Sequence, residues 1–239
     1  MNQRTQQILE VVIREFIETG QPVSSGCLYK KHDFNVKPAT IRNELNFLDQ
    51  EQFLEQLHTS GGRVPTSKGY QFLVERIMSG LMAEIQLEAF KAFSVLVNEL
   101  RQKDFEDFVD DVSDELEVLS VGYAPPGREI YKSGLDNLFK NLINDFSFNN
   151  VRDTYQIIED FEMIDERIGQ LADFIPKAGE PIVFIGKSPI TKSGRLSVIA
   201  DRYHANGEDF VLALIGPKRM DYERNIGFLK KMKEKLVTS

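Results

Sequence analysis

Between Arg4 and Val64 the apolar residues change their spacing once, from a helical repeat to a short alternating pair of segments. That change narrows the choice of fold more than any other feature. From Arg4 to Thr19, Ile8, Val12, Phe16 and their neighbours recur at helical intervals, and Gly20 with Pro22 predicts the stop. Ser24 or Ser25 can cap a short helix through Lys31 that has Cys27 and Leu28 on its core side. After a turn at Asp33 to Val36, Pro38 opens a third helix to about Gln50, because its missing N–H is no loss at a first helical position. Phe53 to Leu57 then reads as a strand, His58-Thr59-Ser60-Gly61-Gly62 as a turn, and Arg63-Val64 as the returning strand. Three helices followed by a small hairpin predict a winged helix-turn-helix.

Pro65 and Thr66 begin another helix, and Tyr70 to about Arg101 reads as helical over most of its length. The predicted organisation is a DNA-binding domain over 1–78, a helical connector over 79–102 and a second domain over 103–239. In that second domain Lys103 to Leu119 is an amphipathic helix with an acidic outer face. Val118 to Tyr123, Ile182 to Ile185, Leu196 to Tyr203 and Phe210 to Ile215 read as strands, the last two joined by a hairpin turn at His204-Ala205-Asn206-Gly207. Val151 to Ile175 and Tyr222 to Leu236 read as helices. The expected class is α+β with a largely antiparallel sheet.

Hydrophobic residues at 41% of the 239 describe a chain that can bury a core, so global disorder is not expected. No apolar run approaches the roughly 18–20 residues of a membrane span. The N-terminus has no uninterrupted apolar region of the kind a signal peptide needs, and a single cysteine, Cys27, fits a reducing compartment. A cytoplasmic protein with no membrane partner is expected. The net charge of −8 opposes nucleic-acid binding until its distribution is considered. Bases and acids balance from Met1 to Met78, so the acidic excess lies entirely beyond Met78.

On the third helix, at about 100° per residue, Ile41, Leu45 and Leu48 form one stripe that faces a core. The opposite arc carries Ala39, Arg42, Asn43 and Asn46. Arginine can give two hydrogen bonds to guanine, asparagine can pair both ways with adenine, and alanine can touch a thymine methyl. Lys37 and Thr40, at the positive end of the helix, are candidates for phosphate contacts. A solvated helix face accounts for these residue types equally well on their own; the neighbouring hairpin favours the DNA reading. Gly61 and Gly62 allow a tight turn, with Thr59 and Ser60 at its tip, and leave Arg63 to project toward a minor groove or a phosphate. Lys68 opposes the dipole of the next helix, a misfit that a nearby phosphate would relieve.

Gly186-Lys187-Ser188 resembles the end of a phosphate-binding loop, but Pro181 stands where that motif needs glycine. The acids between Asp104 and Glu117 lack EF-hand spacing, and His32, His58 and His204 lack the spacing of a metal site. No nucleophile, base and orienting group come together, so no enzyme is expected, and no cofactor.

The stretches Glu18-Thr19-Gly20-Gln21-Pro22-Val23-Ser24-Ser25, Ala39-Thr40-Ile41-Arg42-Asn43-Glu44-Leu45 and His58-Thr59-Ser60-Gly61-Gly62-Arg63-Val64-Pro65-Thr66, with Lys68-Gly69-Tyr70, resemble HrcA, the bacterial heat-inducible transcription repressor family. Ile130-Tyr131-Lys132-Ser133-Gly134-Leu135 and Ile215-Gly216-Pro217-Lys218-Arg219-Met220-Asp221-Tyr222 resemble that family's second domain. The resemblance implies a homodimer that binds double-stranded DNA at an inverted-repeat operator upstream of chaperone genes and releases it on heat stress. It also implies a GAF-like second domain with an inserted dimerising segment, and dependence on the GroEL chaperonin. The chain is shorter than the family's members, so the GAF-like domain is expected to be reduced. Two rival readings remain at this point: a regulator that senses a small molecule in the GAF-like domain, and a winged helix used only for protein contact.

Overall fold

The computed structural model describes residues 1–57, 61–80, 104–125, 129–143, 151–176, 179–205 and 207–237. The chain divides into two compact units, Met1–Arg76 and Ile77–Ser239. The expected connector over 79–102 falls almost wholly outside the described residues.

The first unit runs α1 (Gln3–Thr19), α2 (Ser25–Lys31), α3 (Pro38–Gln50), β1 (Leu54–Gln56), β2 (Arg63–Pro65) and α4 (Ser67–Met78). This is the element order expected from the apolar spacing. Asn2 caps α1 by accepting from the Thr5 N–H, and Gly20 ends the helix in the left-handed conformation (φ 65°) that a residue without Cβ adopts freely. Ser24 caps α2 by accepting from the Cys27 N–H at 3.1 Å. Ile8, Leu9, Val12 and Ile13 of α1 are fully buried with Leu28, Ile41 and Leu48. Burying each such side chain contributes about 1.5–3 kcal/mol.

Glu15, in α1, accepts from Lys31 Nζ at 2.7 Å and lies 3.3 Å from His32 Nε2, which fastens the end of α2 to α1. The Lys31 hydrogen bond holds the Glu15 carboxyl below its ordinary 4.5, against the opposing effect of burial. A carboxyl depressed in the folded state stabilises fully above its unfolded value, and that stability is lost as pH falls through the folded one. Urea unfolding of the wild-type protein is therefore expected to weaken on acidification from neutral pH to below that ordinary value. In Glu15→Gln this part of the pH dependence should be missing; an unchanged profile would mean that the pair adds nothing.

The second unit contains α5 (Phe105–Leu116), β3 (Leu119–Ala124), β4 (Glu129–Ser133), α6 (Leu135–Ile143), α7 (Val151–Glu162), α8 (Ile164–Phe174), β5 (Ile182–Ile185), β6 (Leu196–Ala205), β7 (Glu208–Pro217) and α9 (Tyr222–Val237). Its five strands form one antiparallel sheet in the order β4-β3-β7-β6-β5. Alternation along the strands sends Leu119, Val121, Val198, Ala213 and Ile215 to one face, against Leu138, Leu142, Ile157, Ile168 and Leu171 of α6, α7 and α8. The other face meets α5 and α9. Ser197 bonds Tyr222 Oη at 2.8 Å, Tyr203 Oη donates to the Leu229 carbonyl at 3.2 Å, and Phe210 packs on Phe105 and Phe108. A sheet covered on both sides explains why β7 reads as a continuous apolar run from Phe210 to Ile215.

The helix expected over Val151 to Ile175 is two helices, α7 and α8, parted at Met163. Strand β4 and helix α6 were not among the expected elements. The described residues thus form nine helices and seven strands, a mixed fold with antiparallel sheets. No helix among them is long and apolar enough to cross a membrane.

Candidate nucleic-acid interface

Pro38 takes the first position of α3, and Ile41, Leu45 and Leu48 turn inward. The helix is also gripped from α1. Arg4 donates through Nε and Nη2 to Glu44 Oε1 at 3.0 and 2.8 Å, and Thr5 Oγ1 donates to Glu44 Oε2 at 2.7 Å. Seam and grip together fix how α3 is rotated. In that rotation Ala39, Arg42, Asn43 and Asn46 are exposed on the outer arc, and Lys37 and the half-buried Thr40 stand at its N-terminal end. Phe47, 40% exposed, shares the arc. Sequence reasoning passed over it, although its place outside the apolar seam was a visible signal.

Arg63 corrects an expectation. Rather than projecting from the hairpin, it is 8% exposed, with Nη2 donating to Asn46 Oδ1 at 2.8 Å and Nε 3.5 Å from Asp49 Oδ2. The cause is strand register. Arg63 pairs with Gln56 in β1 and, on its other edge, exchanges two backbone hydrogen bonds of 2.8 Å with Val23, so its side chain points under α3. Arg63 therefore braces α3. Because Asn46 gives a carbonyl lone pair to Arg63, its oxygen is engaged within the protein and its NH2 group is the part left to donate. Gly62 also has a different role from the expected one. A Cβ there would lie 2.6 Å from the main chain of Pro22, so glycine is required by close approach.

Thr59 and Ser60, with His58, lie outside the described residues. Lys68 is exposed, but its Nζ donates to the Glu51 carbonyl at 2.7 Å and sits 4.2 Å from the centroid of the Phe53 ring. Glu51 is the C-cap of α3, so the cation meets the negative end of that helix. This partner relieves the dipole misfit that the sequence shows at Lys68. Lys68→Ala is expected to cost about 0.5–1.5 kcal/mol of stability in the first unit, the worth of one hydrogen bond, and to leave the salt dependence of DNA binding unchanged. Urea unfolding and salt titration measure the two. An unchanged unfolding midpoint with a shallower salt slope would restore the phosphate role.

The start of α2, the outer arc of α3 and the hairpin enclose a cleft of about 520 Å³. Ser24, Ser25, Arg42, Asn46 and Gln56 line it, and among the described residues no carboxylate lines it. The cleft offers amide, hydroxyl and guanidinium groups in one concavity, which suits an anionic ligand that also carries hydrogen-bonding edges. Ser24, Ser25 and Gln56 were not foreseen as site residues, since their place in the cleft depends on α2 and the hairpin folding to the same side.

Comparison with known proteins places this geometry in a family. The model of the HrcA protein C-terminal domain matches residues 71–226, more than half of the chain. A heat-inducible transcription repressor HrcA of Natranaerobius thermophilus is 40% identical over 107 residues, which are 43% of this chain and 31% of that protein. Its counterpart in Roseiflexus castenholzii is 51% identical over 78 residues, 33% of this chain and 22% of that one. In these two alignments the chain spans less than a third of the relative's length. The HrcA repressor of Clostridium perfringens strain 13 aligns over 338 positions at 25% identity, covering 99% of this chain and 98% of its own. A crystal structure of a protein described only as hypothetical matches all of this chain and 97% of its own with a TM-score of 0.73 and 17% identity, a likeness of fold. On the match that covers most of its length, this chain belongs to the HrcA family.

Proposed function

We propose that this chain is a DNA-binding transcription repressor of heat-shock genes that acts as a homodimer on an inverted-repeat operator and lets go on heat stress. The observation that carries the reading is the outer arc of α3, where Arg42, Asn43 and Asn46 stand exposed next to a cleft that, among the described residues, no carboxylate lines. The names of the relatives, heat-inducible transcription repressors, support it and favour a regulator over an enzyme. In this reading the first unit is a winged helix-turn-helix with α3 in the major groove. Arg42 meets guanine, Asn43 meets adenine, Ala39 meets a thymine methyl, and Asn46 donates to a base acceptor. Lys37 and Thr40, with Thr59 and Ser60, hold the backbone, and the protein works in the cytoplasm, its second unit GAF-like and its folding assisted by the GroEL chaperonin.

Binding selection on random duplex DNA tests the proposal. The expected result is enrichment of an inverted repeat whose half-sites lie about one helical turn or a multiple apart, bound more weakly as salt rises. Equal retention of all duplexes, or none, would overturn it.

A further inference from the structure

Beneath the second half of α9 the sheet holds a buried charge that its neighbours satisfy on one side alone. Along β6, Leu196, Val198 and Ala200 face the core against α6, α7 and α8, so Asp201 points the other way, with Ser197 and Tyr203, toward α9. Asp201 is 1% exposed. Its Oδ1 accepts from Lys233 Nζ and from the Arg202 N–H at 2.8 Å, whereas its Oδ2 is buried with no hydrogen-bond partner among the described residues. Lys233 is itself divided, since Nζ also donates to the Gly179 carbonyl at 2.8 Å. Burial pushes the Asp201 carboxyl above its ordinary 3.8, even with the Lys233 ammonium beside it. Buried charges are ordinarily paired and hydrogen-bonded on every side, so this carboxylate lacks compensation that a second cation would supply.

Asp201 lines a cavity of about 360 Å³ bounded by the segment before β5 and by α9. Among the described residues, three carboxylates line it, those of Asp201, Glu180 and Glu234, against the two ammonium groups of Lys230 and Lys233. The wall as a whole therefore favours a cation. The Pro181 ring and the methylene stems of the two lysines give it an apolar side as well. A cation carrying a short hydrocarbon chain matches both features. A bare metal ion matches only the charge, and it would lack the several oxygen ligands it needs.

We propose that this cavity binds a small organic cation, a primary ammonium on a short alkyl chain, with the Asp201 carboxylate as its counter-ion and Pro181 against the chain. The volume is at the small end of ligand cavities, which suits a molecule of a few heavy atoms. The site lies within the second unit and does not depend on DNA binding.

Isothermal titration calorimetry of the full chain with butylammonium chloride, at neutral pH and without DNA, tests this, with potassium chloride and butanol as controls. The expected result is saturable binding of butylammonium at a single site per chain and of neither control. Asp201→Asn removes the charge while keeping the shape of the side chain and a carbonyl oxygen for Lys233, and it should weaken binding at least roughly tenfold. Glu234→Lys reverses a charge at an exposed position on the rim and should weaken binding by a smaller factor. Because it alters nothing beneath α9, it gives a result even if Asp201→Asn does not fold. No saturable binding to the wild-type chain overturns the proposal, as does equal binding of potassium or butanol, or either variant, once shown to be folded, binding like the wild-type chain.

Discussion

Replacing Arg42 by alanine is expected to lower affinity for the selected operator by about 1–3 kcal/mol, roughly 5- to 150-fold, and to relax preference at one base position in each half-site. The size follows from the geometry of the contact. A guanidinium that gives two hydrogen bonds to a guanine edge discriminates against every other base pair, which cannot accept both in the same plane. The fold should not respond, because Arg42 is exposed on α3 and helix packing is carried by Ile41, Leu45 and Leu48 on the opposite side. Gel shifts at one fixed salt concentration, on the operator and on a scrambled duplex, make the comparison. Loss on the operator with little change on the scrambled duplex is the expected pattern. Equal losses on both would make Arg42 a backbone contact and remove the main support for base reading on this helix.

The parts of the molecule that were legible in the sequence are those whose cause is local. Helices α1, α2 and α3 announce themselves through apolar spacing and through Ser24, Pro38 and Gly20 at their ends. The exposure of Ala39, Arg42, Asn43 and Asn46 follows from the same periodicity, since a helix with one buried stripe must show the other to solvent. What escaped depends on pairing across distance. The Arg4–Glu44 contact joins residues forty positions apart, and nothing in either neighbourhood marks it. Arg63 was misjudged because its direction is set by register with Gln56 and by the Val23 bridge, and a shift of one residue reverses a strand's faces. Strand β4 was missed because it lies at the edge of its sheet, half-buried for most of its length, and Glu129–Ser133 shows no apolar alternation. Helix α6 begins just after Gly134, in a left-handed conformation (φ 89°), so its start carries no capping signature in the sequence.

Gly62→Ala is expected to be strongly damaging to the first unit, costing on the order of 2–4 kcal/mol from overpacking and lost hydrogen bonds together. Its Cβ would lie 2.6 Å from both the carbon and the oxygen of the Pro22 carbonyl and 2.7 Å from the Val23 carbonyl carbon, all main-chain atoms that no rotamer change can move aside. Either β2 or the Pro22–Val23 segment must withdraw. Withdrawal opens the two 2.8 Å hydrogen bonds between Val23 and Arg63 and draws the Arg63 guanidinium away from Asn46 and Asp49. The defect thus passes from a backbone contact to α3. Gly26→Ala is the matching control: its Cβ would meet only Ser24 Oγ, at 3.9 Å, and alanine favours a helix over glycine by about 1 kcal/mol, so α2 should gain or hold its stability. Urea unfolding followed by a probe in the first unit, with operator binding measured in parallel, is expected to show Gly62→Ala destabilised and weak in binding and Gly26→Ala stable. If Gly62→Ala unfolded like the wild-type protein, the close approach of β2 to Pro22 would be disproved, and with it the brace that Arg63 provides beneath α3.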